Sequence, residues 1–297
     1  MPNTPSPAHI ANTLMIFLRD SMWRSIIIVL LLFSTSVSGC LQKEQGSGDF
    51  ILATTTSMRD SGLLDELLST FSDEYGIFIG VVAVGTGAAL KLGENGDADI
   101  LIVHAPDKEI AFIEDGFGIS RTTFAWNRFV LVGPATLHDT SNITEALQSI
   151  DGECFISRGD DSGTHIKEQE IWQSTNLPLI EDELGIHPDS DTFFSVGQGM
   201  GTVLNMADEL QCWALSDMGT WLSMSSELDL QMNTWNDSMT LNPYSIIQIK
   251  GENSASAENL EQFILSPTGQ AIIANHSIAG SHLFNPGQPN QEPFNNA

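Results

Sequence analysis

The chain has 297 residues, 41% of them apolar, with 38 Asp or Glu against 11 Lys or Arg and a formal net charge of −27. So few cations exclude nucleic acid as a partner, because its binding rests on basic contacts to phosphate. The acidic, lysine-poor surface suits a protein kept soluble in salty surroundings.

Arg19 and Arg24 precede an apolar run from Ile26 to Phe33, and Val37, Ser38, Gly39 and Cys40 follow. A positive n-region, a short h-region and small residues read as a secretory signal, and the run is short for a membrane span. The ending has the form of a lipobox. Residues 1–39 are therefore expected to be removed and Cys40 to be lipidated, with a plain signal peptide cut near Gly39 as the alternative. Met15 and Met22 are alternative starts. The polar, Gly/Ser-bearing residues 40–48 read as a tether. Roughly 250 residues remain, enough for one large or two small lobes.

Short apolar runs then alternate with helical periodicity, the pattern of an α/β fold. Strands are predicted over 50–53, 79–84, 100–103, 129–132, 154–156, 213–215 and 244–249. Helices are predicted over 62–75, 88–94, 107–115, 144–149, 165–175, 199–209, 217–223 and 257–265. The tail from Phe284, rich in Asn, Pro and Gln, reads as poorly ordered.

Three strand-to-helix turns carry the chemistry. Ala53–Ser57 (A-T-T-T-S) offers the hydroxyls of Thr55, Thr56 and Ser57, and alone would be an ordinary helix cap. Gly85–Leu90 (G-T-G-A-A-L) offers Thr86 and Gly87, a weak signal since no G-x-x-x-x-G-K-[ST] loop exists. Ser157–His165 (S-R-G-D-D-S-G-T-H) combines the guanidinium of Arg158, the hydroxyls of Ser162 and Thr164, and Gly163. A fork of donors at a helix N-terminus is a way to hold an oxyanion. The overall negative charge does not forbid this. Surface charges beyond about 8 Å are largely screened, whereas a contacting Arg near 4 Å is worth on the order of 4 kcal/mol per ligand charge at a dielectric of 20.

Cys154 and Cys212 are either a disulfide or two buried thiols, and no C-x-x-C suggests zinc. Neither an H-E-x-x-H nor a G-x-S-x-G pattern is present, and His165 beside Ser162 lacks a recognisable third member, so no enzyme is expected.

The segments A-T-T-T-S…D-S-G-L-L, V-V-A-V-G-T-G-A-A-L-K-L-G-E-N-G-D-A-D-I-L-I-V-H-A-P, F-V-L-V-G-P, S-R-G-D-D-S-G-T-H and G-M-G-T-V-L-N-M-A resemble the tungstate-binding proteins of tungstate ABC transporters. The resemblance covers about Asp49 to His282. It implies a type II periplasmic-binding-protein fold, two α/β lobes joined by crossover strands near 129–134 and 241–249, closing on an oxyanion. Residues 49–127 and 246–297 would form one lobe and 128–245 the other. It also implies a monomeric, lipid-anchored protein outside the cell membrane, delivering tungstate (or molybdate) to a permease and its ATPase. A sensory or surface protein using the same fold is the alternative.

More distant phosphate-binding proteins share the spacing of Arg158, Ser162, Gly163 and Thr164. Where they carry Asp-Ala-Pro this chain reads His104, Ala105, Pro106. A fully deprotonated dianion has no proton to give, so a histidine that donates would replace a carboxylate that accepts. Two residues depart from the family pattern: Arg128 stands where an acid is expected and Met218 where a base is expected. Asp160 and Asp161 are expected to cap backbone and point away from the guest.

Overall fold

The computed structural model describes residues 50–251 and 253–289. The expected signal peptide, tether and lipidated Cys40 lie outside them. The elements that position the site begin with β1 (Phe50–Thr55), α1 (Thr56–Asp60), α2 (Leu63–Tyr75), β2 (Ile79–Val84) and α3 (Thr86–Asn95). Next come β3 (Ile100–Val103), α4 (Pro106–Glu114), β4 (Gly118–Gly133), α5 (Ile143–Ser149), β5 (Phe155–Ser157) and α6 (Gly163–Gln173). The pair β6 (Leu179–Asp182) and β7 (Gly185–Pro188), then β8 (Phe193–Ser195), α7 (Met200–Leu210), β9 (Ala214–Asp217) and α8 (Met218–Met224) follow. β10 (Gln231–Asn233), β11 (Leu241–Ile249), α9 (Ser254–Leu265) and α10 (Pro267–Asn275) complete the frame.

β1 pairs in parallel with β2 and β3, and β11 runs antiparallel between β3 and β4. The strands β1 and β3 are buried on both faces and are apolar over most of their length. Leu52 enters a core with Leu63, Leu67, Phe71 and Phe263, while the next residue, Ala53, enters another with Ala89, Leu101 and Phe112. The parallel strands end at Thr55, Val84 and Val103, which sets the Thr/Ser turn, the Gly-Thr-Gly turn and His104 along one edge. Ligands bind at such carboxyl ends.

β4 is the long element. Residues 118–128 pair with β11, and 129–133 pair with β9 and β10. The predicted strand at 129–132 is therefore only its last part. The first part was hidden because its sequence, G-I-S-R-T-T-F-A-W-N-R, mixes polar with apolar side chains, and its residues 118–122 are half-buried or exposed. Past this point the cores change. Phe129 and Leu131 pack with Phe155, Ile171, Trp172 and Trp213 on one face, and Val130 and Val132 with Ile156, Val203 and Leu204 on the other. β5 and β8 are parallel, and Phe155 bridges Trp213.

Cys154 and Cys212 are disulfide-bonded, tying the start of β5 to the turn before β9. The tail corrects the sequence reading through Pro289: Phe284 is buried against Tyr244, and Asn285–Pro286 pair with β4. The helices α1 and α10 and the strands β6 to β8 were not foreseen. The run over 267–275 carries Pro and Gly in its first turn, which masks the helical pattern, yet Ser266 caps it and Gly269 fits where a Cβ would strike Phe263 O at 2.4 Å. Arg128 donates to Asp237 O, Thr240 Oγ1 and Asn236 Oδ1 and lies over Trp126, while Met218 joins the apolar packing.

Candidate functional site

Three helix starts face a cavity of about 280 Å³. Its wall holds Thr56, Ser57, Asp60 and Ser61 from the α1 region, Arg158 from the turn after β5, Gly199, Met200 and Gly201 from α7, and Gly219, Thr220 and Ser223 from α8. Residues before β4 and residues after it thus line one space.

Thr55 caps α1, its hydroxyl accepting the Met58 N–H at 3.3 Å and lying 3.1 Å from Ser57 Oγ. The neighbouring Thr54 is not available, since its hydroxyl donates to Ile102 O. Ser162 caps α6 by accepting the His165 N–H at 3.4 Å. Free N–H groups of the first helical turns remain to face a guest.

Arg158 is held by the loop it stands in. Arg158 O accepts the Gly197 N–H, Ser157 O accepts the Val196 N–H, and Gly159 adopts φ +60° at a place where a Cβ would sit 1.8 Å from Ser195 Oγ. Only glycine serves there. Asp160 behaves as expected in one respect and not in another. Its Oδ1 accepts the Ser162 N–H, but its Oδ2 takes Arg158 Nε at 2.8 Å. One of the five guanidinium donors is therefore spent, and the terminal pairs remain for a guest. Asp161 carries a positive φ of 55° and donates its N–H to His165 Nδ1 at 3.1 Å. Gln169 approaches the other ring nitrogen, so the His165 ring serves the loop rather than Ser162.

His104 is buried at the end of β3, its Nδ1 2.8 Å from Asn242 Oδ1 and its Nε2 3.3 Å from Ser57 Oγ. It stacks on Tyr244 with centroids 4.8 Å apart. Burial pushes its pKa below the ordinary imidazole value, with Asn242 and the charge of Asp217 opposing and Arg158 assisting. Gly163 meets this ring: a Cβ there would stand 2.7 Å from Cε1. The glycine of Ser-Gly-Thr thus serves close approach of α6 to His104.

Thr164 is buried at the start of α6, and Thr86 is buried with its Oγ1 unpartnered at the start of α3. Gly87 is exposed with open space around it. The structure thus brings Thr56, Ser57 and Arg158 to the cavity wall and sets Thr55, His104, Ser162 and Gly163 around it through the contacts above, whereas Thr86, Gly87 and Thr164 do not line it.

The helices at 199–209 and 217–223 are expected from sequence, but the place of their starts on the cavity wall is not. Gly199 and Gly201 carry no side chain, and no side chain caps α7, whose Thr202 N–H turns back to Gly199 O. The signal was the repeated Gly-Thr of G-M-G-T at 199–202 and M-G-T at 218–220. In α8 Asp217 takes both the N–H and the hydroxyl of Thr220, at 2.9 and 2.7 Å.

Behind Arg158 lies Glu168, a fully buried carboxyl whose oxygens have no partner in hydrogen-bonding geometry, although Ser157, Trp172 and the Arg158 backbone approach it. Burial pushes its pKa up to about 8, against the pull of those neighbours. Glu109 is likewise pushed up by burial, opposed by Arg121, which donates to it at 2.7 Å; its other oxygen accepts the Ala105 N–H and so anchors the H-A-P turn. Among the described residues no group of three or more His, Cys, Asp or Glu is placed to hold a metal ion.

The model of the PBP superfamily domain matches residues 39–268. A tungstate-binding protein TupA of Peptoclostridium acidaminophilum is 40% identical over 286 residues, covering 88% of this chain and 97% of the relative. A putative ABC transporter anion-binding protein of Haloferax volcanii is 35% identical, over 84% of this chain and 76% of its own. The solved tungstate-binding protein TupA from Desulfovibrio alaskensis G20 superposes with a TM-score of 0.70 at 36% identity, covering 81% of this chain and 99% of that one.

Proposed function

The chain belongs to the tungstate-binding proteins of the periplasmic-binding-protein superfamily, and we propose that it captures tungstate in the cavity between α1, the Arg158 loop, α7 and α8. It is a type II α/β binding protein and the solute-binding part of a tungstate ABC transporter, with binding rather than catalysis as its task. Residues 49–127 with 246–297 and residues 128–245 are read as two lobes that close on the guest. Thr55, Thr56, Ser57, Thr86, Gly87, His104, Arg158, Ser162, Gly163 and Thr164 are read as its oxyanion-binding set, with the N–H groups at Gly199–Gly201 added to it. Cys40 is read as the lipid anchor that keeps a monomer on the outer face of the membrane, near its permease and ATPase.

The observation that carries this reading is the wall itself. One arginine, two hydroxyl-bearing residues at a helix start and a second, uncapped glycine start converge on one space from stretches on either side of β4. Such a set suits a small dianion bound by hydrogen bonds and a single charge.

Calorimetric competition among tungstate, molybdate, sulfate and phosphate tests it. Tungstate is expected to bind and to outcompete phosphate by at least about tenfold, because hydrogen phosphate would turn a proton toward a donor and leave a buried group unpaired at roughly 1–3 kcal/mol. Equal affinity for phosphate and tungstate at neutral pH would overturn the assignment.

A further inference from the structure

Four buried side chains connect the cavity to the strands that run between the two sets of cores. Asn127 on β4 and Asn242 on β11 face each other in the antiparallel ladder. Asn242 Nδ2 donates to Asn127 Oδ1 at 2.8 Å and to Tyr244 OH at 3.1 Å. Both amide hydrogens are then spent, so Asn242 Oδ1 meets His104 Nδ1 at 2.8 Å as an acceptor. Nδ1 must therefore carry the ring proton, and in a neutral ring Nε2 becomes an acceptor. The group within its reach is the Ser57 hydroxyl at 3.3 Å. That hydroxyl cannot at once serve His104 and donate to a guest in the cavity it lines.

Resting on the reading of this cavity as the oxyanion site, we propose that His104 is a proton-carrying positioning residue with its tautomer fixed by Asn242. Oxyanion capture then places a solvent proton on Nε2 and turns the Ser57 hydroxyl from the ring to the guest. One N–H bond forms at the expense of a buffer acid. The serine keeps its proton and only changes acceptor, since the imidazolium Nε2–H now donates to Ser57 Oγ.

The surroundings fit a ring that is neutral alone and charged beside a dianion. Burial keeps it below its ordinary value in the protein by itself. Asp217, at the end of β9, favours the charged ring, and Arg158, from the loop before α6, opposes it. On β11 the Tyr244 hydroxyl is pushed up by burial and stays neutral. Glu109, on α4, is bound to Arg121 and the Ala105 N–H, and Asp160 is bound to Arg158. On α1, Arg59 and Asp60 pair with each other at 2.9 Å. A guest dianion adds negative charge and raises the ring's pKa. Between the two values capture takes up a proton and weakens as pH rises, by at most about tenfold per pH unit.

The test is tungstate calorimetry on the full chain in two buffers of different ionisation enthalpy, across pH 6 to 8. Net uptake approaching one proton and an affinity that falls with pH are expected for the parent. His104→Gln is expected to bind more weakly, with no uptake and a flat pH profile, which a merely structural role would not produce. Asn242→Asp, by placing a carboxylate at Nδ1, is expected to move the pH window upward. Tungstate binding by the parent without proton uptake overturns this inference alone. So does undiminished uptake in His104→Gln, or an Nε2–H tautomer seen by nitrogen NMR of the tungstate-free parent. No tungstate binding at any pH overturns the reading of the cavity and this inference with it.

Discussion

The two walls of the cavity are built from opposite materials. On the α6 side stands a guanidinium with one of its five donors claimed by Asp160, and the buried carboxyl of Glu168 lies by the Arg158 backbone. On the α1 side the groups are mostly neutral, Thr55, Ser57 and a histidine that burial keeps uncharged, and the carboxylate of Asp60 on that wall is paired with Arg59. The α6 wall supplies charge, whereas the α1 wall supplies direction. A chain with a formal charge of −27 can hold a dianion because attraction is concentrated in one side chain and the remainder is hydrogen bonding at short range.

The sharpest way to break this contrast is to remove the charge. Arg158→Ala leaves the guest neutralised only by hydroxyls and helix dipoles. Truncating one partner of a buried charge pair typically costs roughly 2–5 kcal/mol. Titration calorimetry with tungstate is expected to show that loss, and Arg158→Lys to recover only part of it, because an ammonium cannot grip two oxygens at once. If Arg158→Ala binds tungstate within about threefold of the parent while Thr55→Ala abolishes binding, the walls have been assigned in the wrong order.

Much of this was legible from sequence where a turn follows an apolar run. The strands at 79–84 and 100–103 were read to their ends, and Ser57, Arg158 and Gly163 stood out because hydroxyl, guanidinium and glycine at strand-to-helix turns have few other uses. What stayed hidden depended on distant contacts. Nothing near His104 announces that Asn242, far along the chain, takes its Nδ1, or that its Nε2 serves Ser57. Asp160 reads as a helix-start cap, and its second role appears only when the loop bends Arg158 back to it. The N–H groups of α7 have no side chain to advertise them. The cysteine pair illustrates the same limit. Their burial is local, but the bond depends on how β5 and β9 come together.

Glu168 tests the α6 wall through stability rather than affinity. Its carboxyl titrates at about 8 in the folded chain against 4.5 for an unhindered glutamate. The folded state therefore holds a proton that the unfolded chain releases. Its contribution is fully present below 4.5 and is lost as pH rises through 8, with a slope of at most about 1.4 kcal/mol per pH unit. Glu168→Gln imitates the protonated carboxyl and removes this slope. Urea unfolding at pH 5 and pH 8 is expected to show the parent losing stability over that interval and the variant losing less, so that the variant is the more stable protein at pH 8. A parent and variant with the same pH dependence would mean that Glu168 is ionised in the folded protein.

The smallest expected effect separates two hydroxyls that look alike in sequence. Thr55 and Ser162 both cap a helix, and removing either cap should lower stability by about 1 kcal/mol. Their protons differ. Thr55 Oγ1 lies 3.1 Å from Ser57 Oγ and belongs to the neutral chain that ends at His104. The bonds of Ser162 use its oxygen as an acceptor from the His165 N–H and its own N–H as a donor to Asp160, leaving the hydroxyl proton for a guest. Ser162→Ala is accordingly expected to weaken tungstate binding by roughly 0.5–1.5 kcal/mol, the net worth of one hydrogen bond, and by somewhat more because the acceptor is charged. Thr55→Ala is expected to weaken it less while costing the same stability. Paired calorimetry and urea unfolding of the two variants would separate these effects, and equal losses of affinity would mean that Thr55 reaches the anion as directly as Ser162 does.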